Sequence, residues 1–190
     1  HVPTPFMGKG APDVTRVWVV ACATGEEAFS IAMLLSEHAR KMEAPPLFLV
    51  FATDLDEAAI RVAREAVYPP AIEADVSEER LRRFFQKEPR GYRVRRELRE
   101  TVLFAVHDVL STSPFSRLDL VSCRNLLIYL DRTAQTRVVD TMHFALVPGG
   151  KLLLGSSESI DESSGQFDVV DKKHRIFRHR PGLGFGLLPL

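Results

Sequence analysis

Val17–Glu27, VWVVACATGEE, joins an apolar, β-branched run to a turn of small residues and then to two glutamates. Arg16–Cys22 (RVWVVAC) shows no polar alternation within it, the pattern of a strand buried on both faces. From Gly25 to Glu43 apolar side chains return at Ala28, Ile31, Ala32 and Leu35, the i, i+3, i+4, i+7 stripe of a helix. A buried strand that turns through a glycine into an amphipathic helix is the repeating unit of α/β folds.

The same alternation continues outward from this unit. Pro45-Pro46 stops the first helix, and Leu47–Thr53 (LFLVFAT) reads as a second buried strand that ends at Asp54-Leu55-Asp56. Glu57–Tyr68 follows as a helix, and after Pro69-Pro70 comes a short amphipathic helix, Ser77–Phe85, with Leu81, Phe84 and Phe85 on one side. Tyr92–Leu98 (YRVRREL) and Thr101–Val109 (TVLFAVHDV) read as strands, the first half exposed. Leu118–Cys123 is another buried strand and Arg132–Leu146 a helix packed through Val138, Val139, Met142 and Leu146. Pro148-Gly149-Gly150 turns into the strand Lys151–Leu154, and Phe167–Val170 and Arg175–Arg178 are two short strands. This order predicts a doubly wound α/β domain with a mostly parallel sheet, an antiparallel edge and an insertion at about residues 77–100. The domain spans 16–180, flanked by a linker or remnant over 1–15 and a tail over 181–190.

At 190 residues the chain is the size of one domain with a single well-buried core. Lys+Arg and Asp+Glu are both 25, so the balanced surface has no general attraction for nucleic acid or an anionic membrane. Cys22 and Cys123 stand far apart within apolar runs, the spacing of neither a metal site nor a disulfide framework, and read as reduced buried thiols of a cytoplasmic protein. No apolar run approaches the roughly 18 residues of a membrane span, and no signal peptide opens the chain. His107, His143 and His174 share no metal-ligand spacing, so no metal is expected.

In a doubly wound sheet, ligands bind at the carboxyl ends of the strands, where strand order reverses. In the first turn, Cys22–Glu27, a small residue and a glycine let a ligand approach the backbone closely. Glu26 and Glu27 would repel a pyrophosphate but tolerate a cationic cofactor, and G-x-G-x-x-G is missing; acids in a first helical turn also simply favour the helix dipole. Asp54 ends the second strand, where an acid accepts hydrogen bonds from both ribose hydroxyls; a helix N-cap is the other role, open to either Asp54 or Asp56. Asp108 follows a strand at a place where an adenine amino group could be read, or simply starts a loop. Arg124-Asn125, followed at once by apolar residues, suits a cleft-lining amide better than packing.

ACATGEEAFSIAMLL from Ala21, FATDLD from Phe51, CRNLLIYLD from Cys123 and PGGKLLLGSSES from Pro148 together resemble the bacterial chemotaxis receptor methyltransferases, the CheR family. The resemblance runs from about Arg16 to Arg178. It implies a seven-stranded, Rossmann-like methyltransferase fold with a small antiparallel β-subdomain, and a protein-glutamate O-methyltransferase that converts S-adenosylmethionine to S-adenosylhomocysteine. The cofactor pocket it implies is Ala21, Glu27, Asp54, Asp108, Val109, Asn125 and Leu126, with Glu26 as substitute for Glu27; Tyr129 stands near the transferred methyl. The implied partner is the cytoplasmic domain of a chemoreceptor or related signalling protein, bound partly through the β-subdomain that holds YRVRREL.

Two departures from the family pattern matter, besides a first that is a mild change among small residues. Ala21-Cys22-Ala23 stands where the family often has G-C-S. The family's N-terminal helical domain and Arg-bearing FFR-type segment are not matched by HVPTPFMGKGAPDV, which offers only Phe6 and Lys9. The hairpin between Phe85 and Arg93 is short, which implies a mode independent of a receptor's tether peptide. The rival readings are a catalytically impaired, cofactor-binding regulatory module within a larger signalling protein, and a methyltransferase for a small molecule or nucleic acid. The balanced charge and the lack of an Asn/Asp-Pro-Pro-Tyr motif disfavour nucleic acid. A nicotinamide dehydrogenase lacks its Gly-rich turn.

Overall fold

The computed structural model describes residues 8–161 and 164–181; Phe6, the first seven residues of the expected linker and nearly all of the expected tail lie outside them. The opening unit forms as expected, as β1 (Val14–Val20) and α1 (Glu26–Ala39). β2 (Leu47–Asp54) and α2 (Glu57–Glu65) repeat it. A small segment follows: β3 (Val67–Tyr68), α3 (Glu78–Phe84), β4 (Phe85–Glu88), β5 (Gly91–Val94) and α4 (Arg96–Arg99). The chain then returns to the main sheet with β6 (Val102–Val106), β7 (Leu118–Cys123), α5 (Arg132–Ala145), β8 (Leu146–Leu154), β9 (Phe167–Asp171) and β10 (Ile176–His179).

The main sheet has seven strands in the order β6-β2-β1-β7-β8-β10-β9. The first five run parallel, and β10 runs antiparallel to both β8 and β9. The antiparallel strand is therefore one place in from the edge, and the edge strand β9 runs with the majority. The chain moves outward from β1 to β2 and β6, then crosses back to β7, so strand order reverses between β1 and β7. β1 is buried on both faces as its sequence requires: Val17 and Val19 join the core under α1, while Trp18 and Val20 join the core under α5. Trp18 is fully buried, and its indole N–H donates to Thr53 Oγ1 at 2.9 Å.

Several boundaries differ from the sequence reading. α1 ends at Ala39 rather than Glu43, because the Arg40 N–H closes the last turn on Ser36 O and two tight turns follow. α2 ends at Glu65, where Ala66 adopts a left-handed φ of 54° and releases the chain into β3. Phe85 belongs to a strand, not to the helix before it. Both Phe84 and Phe85 are buried, and such a pair does not reveal where a helix passes into a strand. YRVRREL is a strand only to Val94; Leu98, four residues on, is buried from the helix α4. β8 begins at Leu146 and runs through Pro148-Gly149-Gly150, with its register against β7 shifting between Leu118 and Leu120.

The second sheet, β3-β5-β4, is antiparallel and starts at Val67, ten residues before the sequence-predicted insertion. Gly91 (φ 141°) is required at its hairpin, since any Cβ there would run into the Tyr68 carbonyl. At one end of the main sheet β6 is an open edge. Val50 N–H bonds Thr101 O and His107 N–H bonds Asp54 O, so the alternate residues 102, 104 and 106 face outward. The Arg64 guanidinium reaches round from α2 to the Phe104 carbonyl at 2.8 Å. No helix among the described residues is long and apolar enough to cross a membrane.

Candidate cofactor site

The parallel strands end level. Val20 pairs with both Thr53 and Cys123, Asp54 with Val106, and Cys123 with Leu154. Ala21, Asp54, His107-Asp108, Arg124-Asn125 and Gly155 therefore share one rim at the point of reversal, where a doubly wound sheet binds its ligand.

The turn after β1 is strained. Ala21 (φ 54°), Ala23 (φ 46°) and Gly25 (φ 92°) all adopt left-handed backbone, which costs a non-glycine residue about 1–2 kcal/mol. Its neighbours over-determine this shape. Cys22 N–H bonds Thr53 O and Gly25 N–H bonds Cys22 O, both at 2.9 Å. Ala23 N–H donates to Asp54 Oδ2 at 2.8 Å, and the Tyr68 hydroxyl donates to Thr24 O at 3.0 Å. Gly25 has its back to Phe104 and Ala63, and a Cβ there would lie 3.0 Å from the Phe104 ring.

The two glutamates part company. Glu26 accepts from Thr24 Oγ1 of its own turn at 2.8 Å. Glu27 accepts from Ser122 Oγ on β7 and lies 3.4 Å from Arg124 Nη1, so it belongs to the seam between β1 and β7. The two aspartates divide their roles as well. Asp56 caps α2, accepting from Ala58 N–H (2.7 Å) and Ala59 N–H (3.2 Å). Asp54 is left to join the β1 turn to the end of β2, through Ala23 N–H on one oxygen and Asp56 N–H (2.9 Å) on the other. Each of its oxygens retains capacity for a second donor.

Asp108 fills its loop-starting role: Leu110 N–H (2.9 Å) and Ser111 Oγ (2.8 Å) donate to its carboxylate and hold its pKa below the usual range. Val109 and Leu126 are partly buried against the core under α5. Asn125 stands at φ 60°, and its peptide N–H is bound by Glu158 Oε2 at 2.9 Å. Tyr129, at the end of the same loop, is 80 % exposed. Cys22 and Cys123 are free and buried. Burial, then the charge of Asp54, pushes the Cys22 thiol up to about 12, and burial likewise raises that of Cys123, so neither supplies a thiolate at neutral pH.

The site thus assembles two carboxylates, Glu27 and Asp54, an amide and a close-approach turn. Its one arginine is engaged by Glu27. This donor set repels diphosphate and accepts hydroxyl and ammonium or sulfonium groups. No group of His, Cys, Asp and Glu among the described residues is arranged to hold a metal. Sequence reading missed Tyr68, Ser122 and Glu158, which hold the site from behind. For Glu158 the only available signal was an acid in GSSES, directly after a buried strand. A separate cleft of about 610 Å³, lined by Glu73, Leu81, Phe85, Lys87, Tyr92 and Arg95 among others, lies on the small sheet.

Comparison with known proteins shows the family and the fold. The family model described as the S-adenosylmethionine-binding domain of CheR methyltransferases matches residues 3–176. A 104.1 kDa protein of Rhodobacter capsulatus is 41 % identical over 180 residues, which are 94 % of this chain and 19 % of that protein. The chemotaxis protein methyltransferase of Escherichia coli K12 is 34 % identical over 163 residues, 81 % of this chain and 55 % of its own length. The chain therefore spans a fifth of the first relative and just over half of the second. Among solved structures, a TehB-like S-adenosylmethionine-dependent methyltransferase from Corynebacterium glutamicum shares the fold with a TM-score of 0.50 at 12 % identity, covering 88 % of this chain and 80 % of that one. The chain belongs to the CheR methyltransferase family, of which it is the domain that binds S-adenosylmethionine.

Proposed function

We propose that this domain transfers a methyl group from S-adenosylmethionine to glutamate side chains on the cytoplasmic domain of a chemotaxis-type receptor. The observation that carries the reading is the carboxylate rim at the strand reversal, Asp54 and Glu27 beside a strained turn, in a chain of this family. In this reading Asp54 accepts the ribose hydroxyls, Ala21 and Glu27 border the cofactor, Asn125 and Leu126 close its far side, and Asp108 and Val109 flank the adenine. When bound, S-adenosylmethionine supplies an electrophilic methyl on a sulfonium.

The rest of the work falls to the chain. A glutamate acceptor with a pKa near 4.3 is ionised at neutral pH, so no residue need act as general base. Catalysis then rests on positioning and on exclusion of water from the carboxylate. Tyr129, exposed at the rim, orients the incoming carboxylate with its phenol. The small antiparallel sheet is the proposed receptor-facing surface.

A second reading draws on the Rhodobacter relative, in which the matched region is 19 % of a 104.1 kDa protein: a cofactor-binding module within a larger signalling protein. One experiment separates the two. Calorimetry with S-adenosylhomocysteine tests the pocket, and transfer of labelled methyl to receptor membranes tests the reaction, both with the chain in its full-length protein. Alkali-labile label identifies methyl esters. Binding without transfer selects the module, and no binding rejects both.

A further inference from the structure

Glu158 lies behind the proposed pocket and belongs to none of its assigned contacts. It is 3 % exposed, and its partners are peptide N–H groups rather than cations. Oε2 accepts from Asn125 N–H at 2.9 Å and Gly155 N–H at 2.8 Å, and Oε1 accepts from Leu127 N–H at 2.8 Å. Its own N–H closes a tight turn on Gly155 O at 3.0 Å. One carboxylate thus joins the end of β8 to the loop that leaves β7.

The two bonds to that loop fall on either side of Leu126. They hold Asn125 in its left-handed conformation (φ 60°), with its peptide N–H bound to the acid. On the other side the Gln135 amide donates to Leu127 O (2.9 Å) and Leu130 O (3.1 Å). A buried carboxylate is expensive unless its lone pairs are used, and here both oxygens are used on one short loop. A core side chain serving packing alone would be apolar; an acid that places two of its three bonds on the backbone of a ligand-bearing loop, and the third on the end of β8, fixes that loop's shape against the sheet.

We infer that Glu158 is a positioning residue for the cofactor: it pre-sets the Asn125–Leu127 backbone so that Asn125 and Leu126 meet the ligand without a further ordering cost. This rests on the assignment of Asn125 and Leu126 as cofactor contacts. Glu158→Gln keeps the shape but turns an amide NH2 toward a peptide N–H. A Cβ at 155 would lie 2.7 Å from Glu158 Oε2, 3.0 Å from Asn125 Oδ1 and 3.2 Å from Asn125 N, so Gly155→Ala crowds the carboxylate and the whole of Asn125 while keeping the charge.

The test is calorimetry with S-adenosylhomocysteine on wild type, E158Q and G155A, with amide hydrogen exchange on the ligand-free proteins. In folded E158Q the affinity is expected to fall at least tenfold, and the amides of Asn125, Leu127 and Gly155 to exchange at least tenfold faster, while those of α2 keep their wild-type rates. Should E158Q fail to fold, G155A decides by the same criterion. A wild type that binds while the folded variant stays within threefold of it overturns the inference alone. A wild type that does not bind overturns the cofactor reading, and the inference with it.

Discussion

Two loops at the strand reversal solve one problem differently. The turn after β1 and the loop after β7 both leave central strands, both contain left-handed residues, and both are held by a carboxylate from another strand's end. In the first, Asp54 binds backbone on one side while its remaining capacity lies at the rim, so scaffold and proposed ligand share one side chain. In the second, the duties are split: Glu158 is buried and uses its acceptors on backbone, leaving the side chains of Asn125 and Tyr129 for their proposed roles. Sharing makes the first loop economical and fragile; division lets the second tolerate change at its functional residues.

Substitutions that strike each loop separately sharpen this contrast. Asp54→Ala has the largest expected effect, because the two proposed ribose hydrogen bonds and the Ala23 tether go together. At about 1.5–3 kcal/mol for each bond to a charged acceptor, affinity for S-adenosylhomocysteine falls by more than a hundredfold in calorimetry. An unchanged dissociation constant breaks the pocket assignment. Tyr129→Phe tests the divided loop: turnover drops about fivefold, since one hydrogen bond is of order 1 kcal/mol, while the S-adenosylhomocysteine constant moves less than twofold. A parallel loss of binding would return Tyr129 to the scaffold.

Smaller effects probe the strain in the first turn. Tyr68→Phe removes the hydroxyl bond to Thr24 O and lowers unfolding free energy by about 1 kcal/mol in urea titration, with a few-fold loss of cofactor affinity. Stability loss without any affinity change would show that the turn keeps its shape unaided. Ala21→Gly relieves a left-handed alanine of about 1–2 kcal/mol of strain and adds unfolded-chain entropy in return, for a net gain of about 0.5–1 kcal/mol. A melting temperature a few degrees higher checks it; a lower one would mean that the Ala21 methyl packs usefully.

Much of this was legible in the sequence because burial leaves a period. RVWVVAC and LFLVFAT are uninterrupted because both faces of a central parallel strand are covered, and Asp54 follows at the strand end where an acid has work to do. Asp54 and Asp56 were indistinguishable until the bonds to Ala58 and Ala59 gave the cap to Asp56. The small sheet was harder. Its strands have two to four residues, too few for alternation to show, and the buried Phe84-Phe85 pair spans a helix end and a strand start. The position of β10 between β8 and β9 follows from long-range pairing that no local pattern encodes. Glu158 was invisible for a related reason: its partners are peptide groups, and a backbone N–H has no residue type to recognise.

The Arg64 contact has a consequence for how this chain behaves in a crowd. β6 offers outward-facing peptide groups beside the exposed Leu103 and Val106, which is a template for a stray strand from another copy. Arg64 occupies the middle carbonyl, Phe104 O, of the outward-facing set at 102, 104 and 106. A docking strand would have to leave that bond unmade or displace a guanidinium from it, and would meet a fixed positive charge at the centre of the edge. A single long side chain on α2 thus guards the sheet against aggregation, a duty separate from any chemistry at the strand ends.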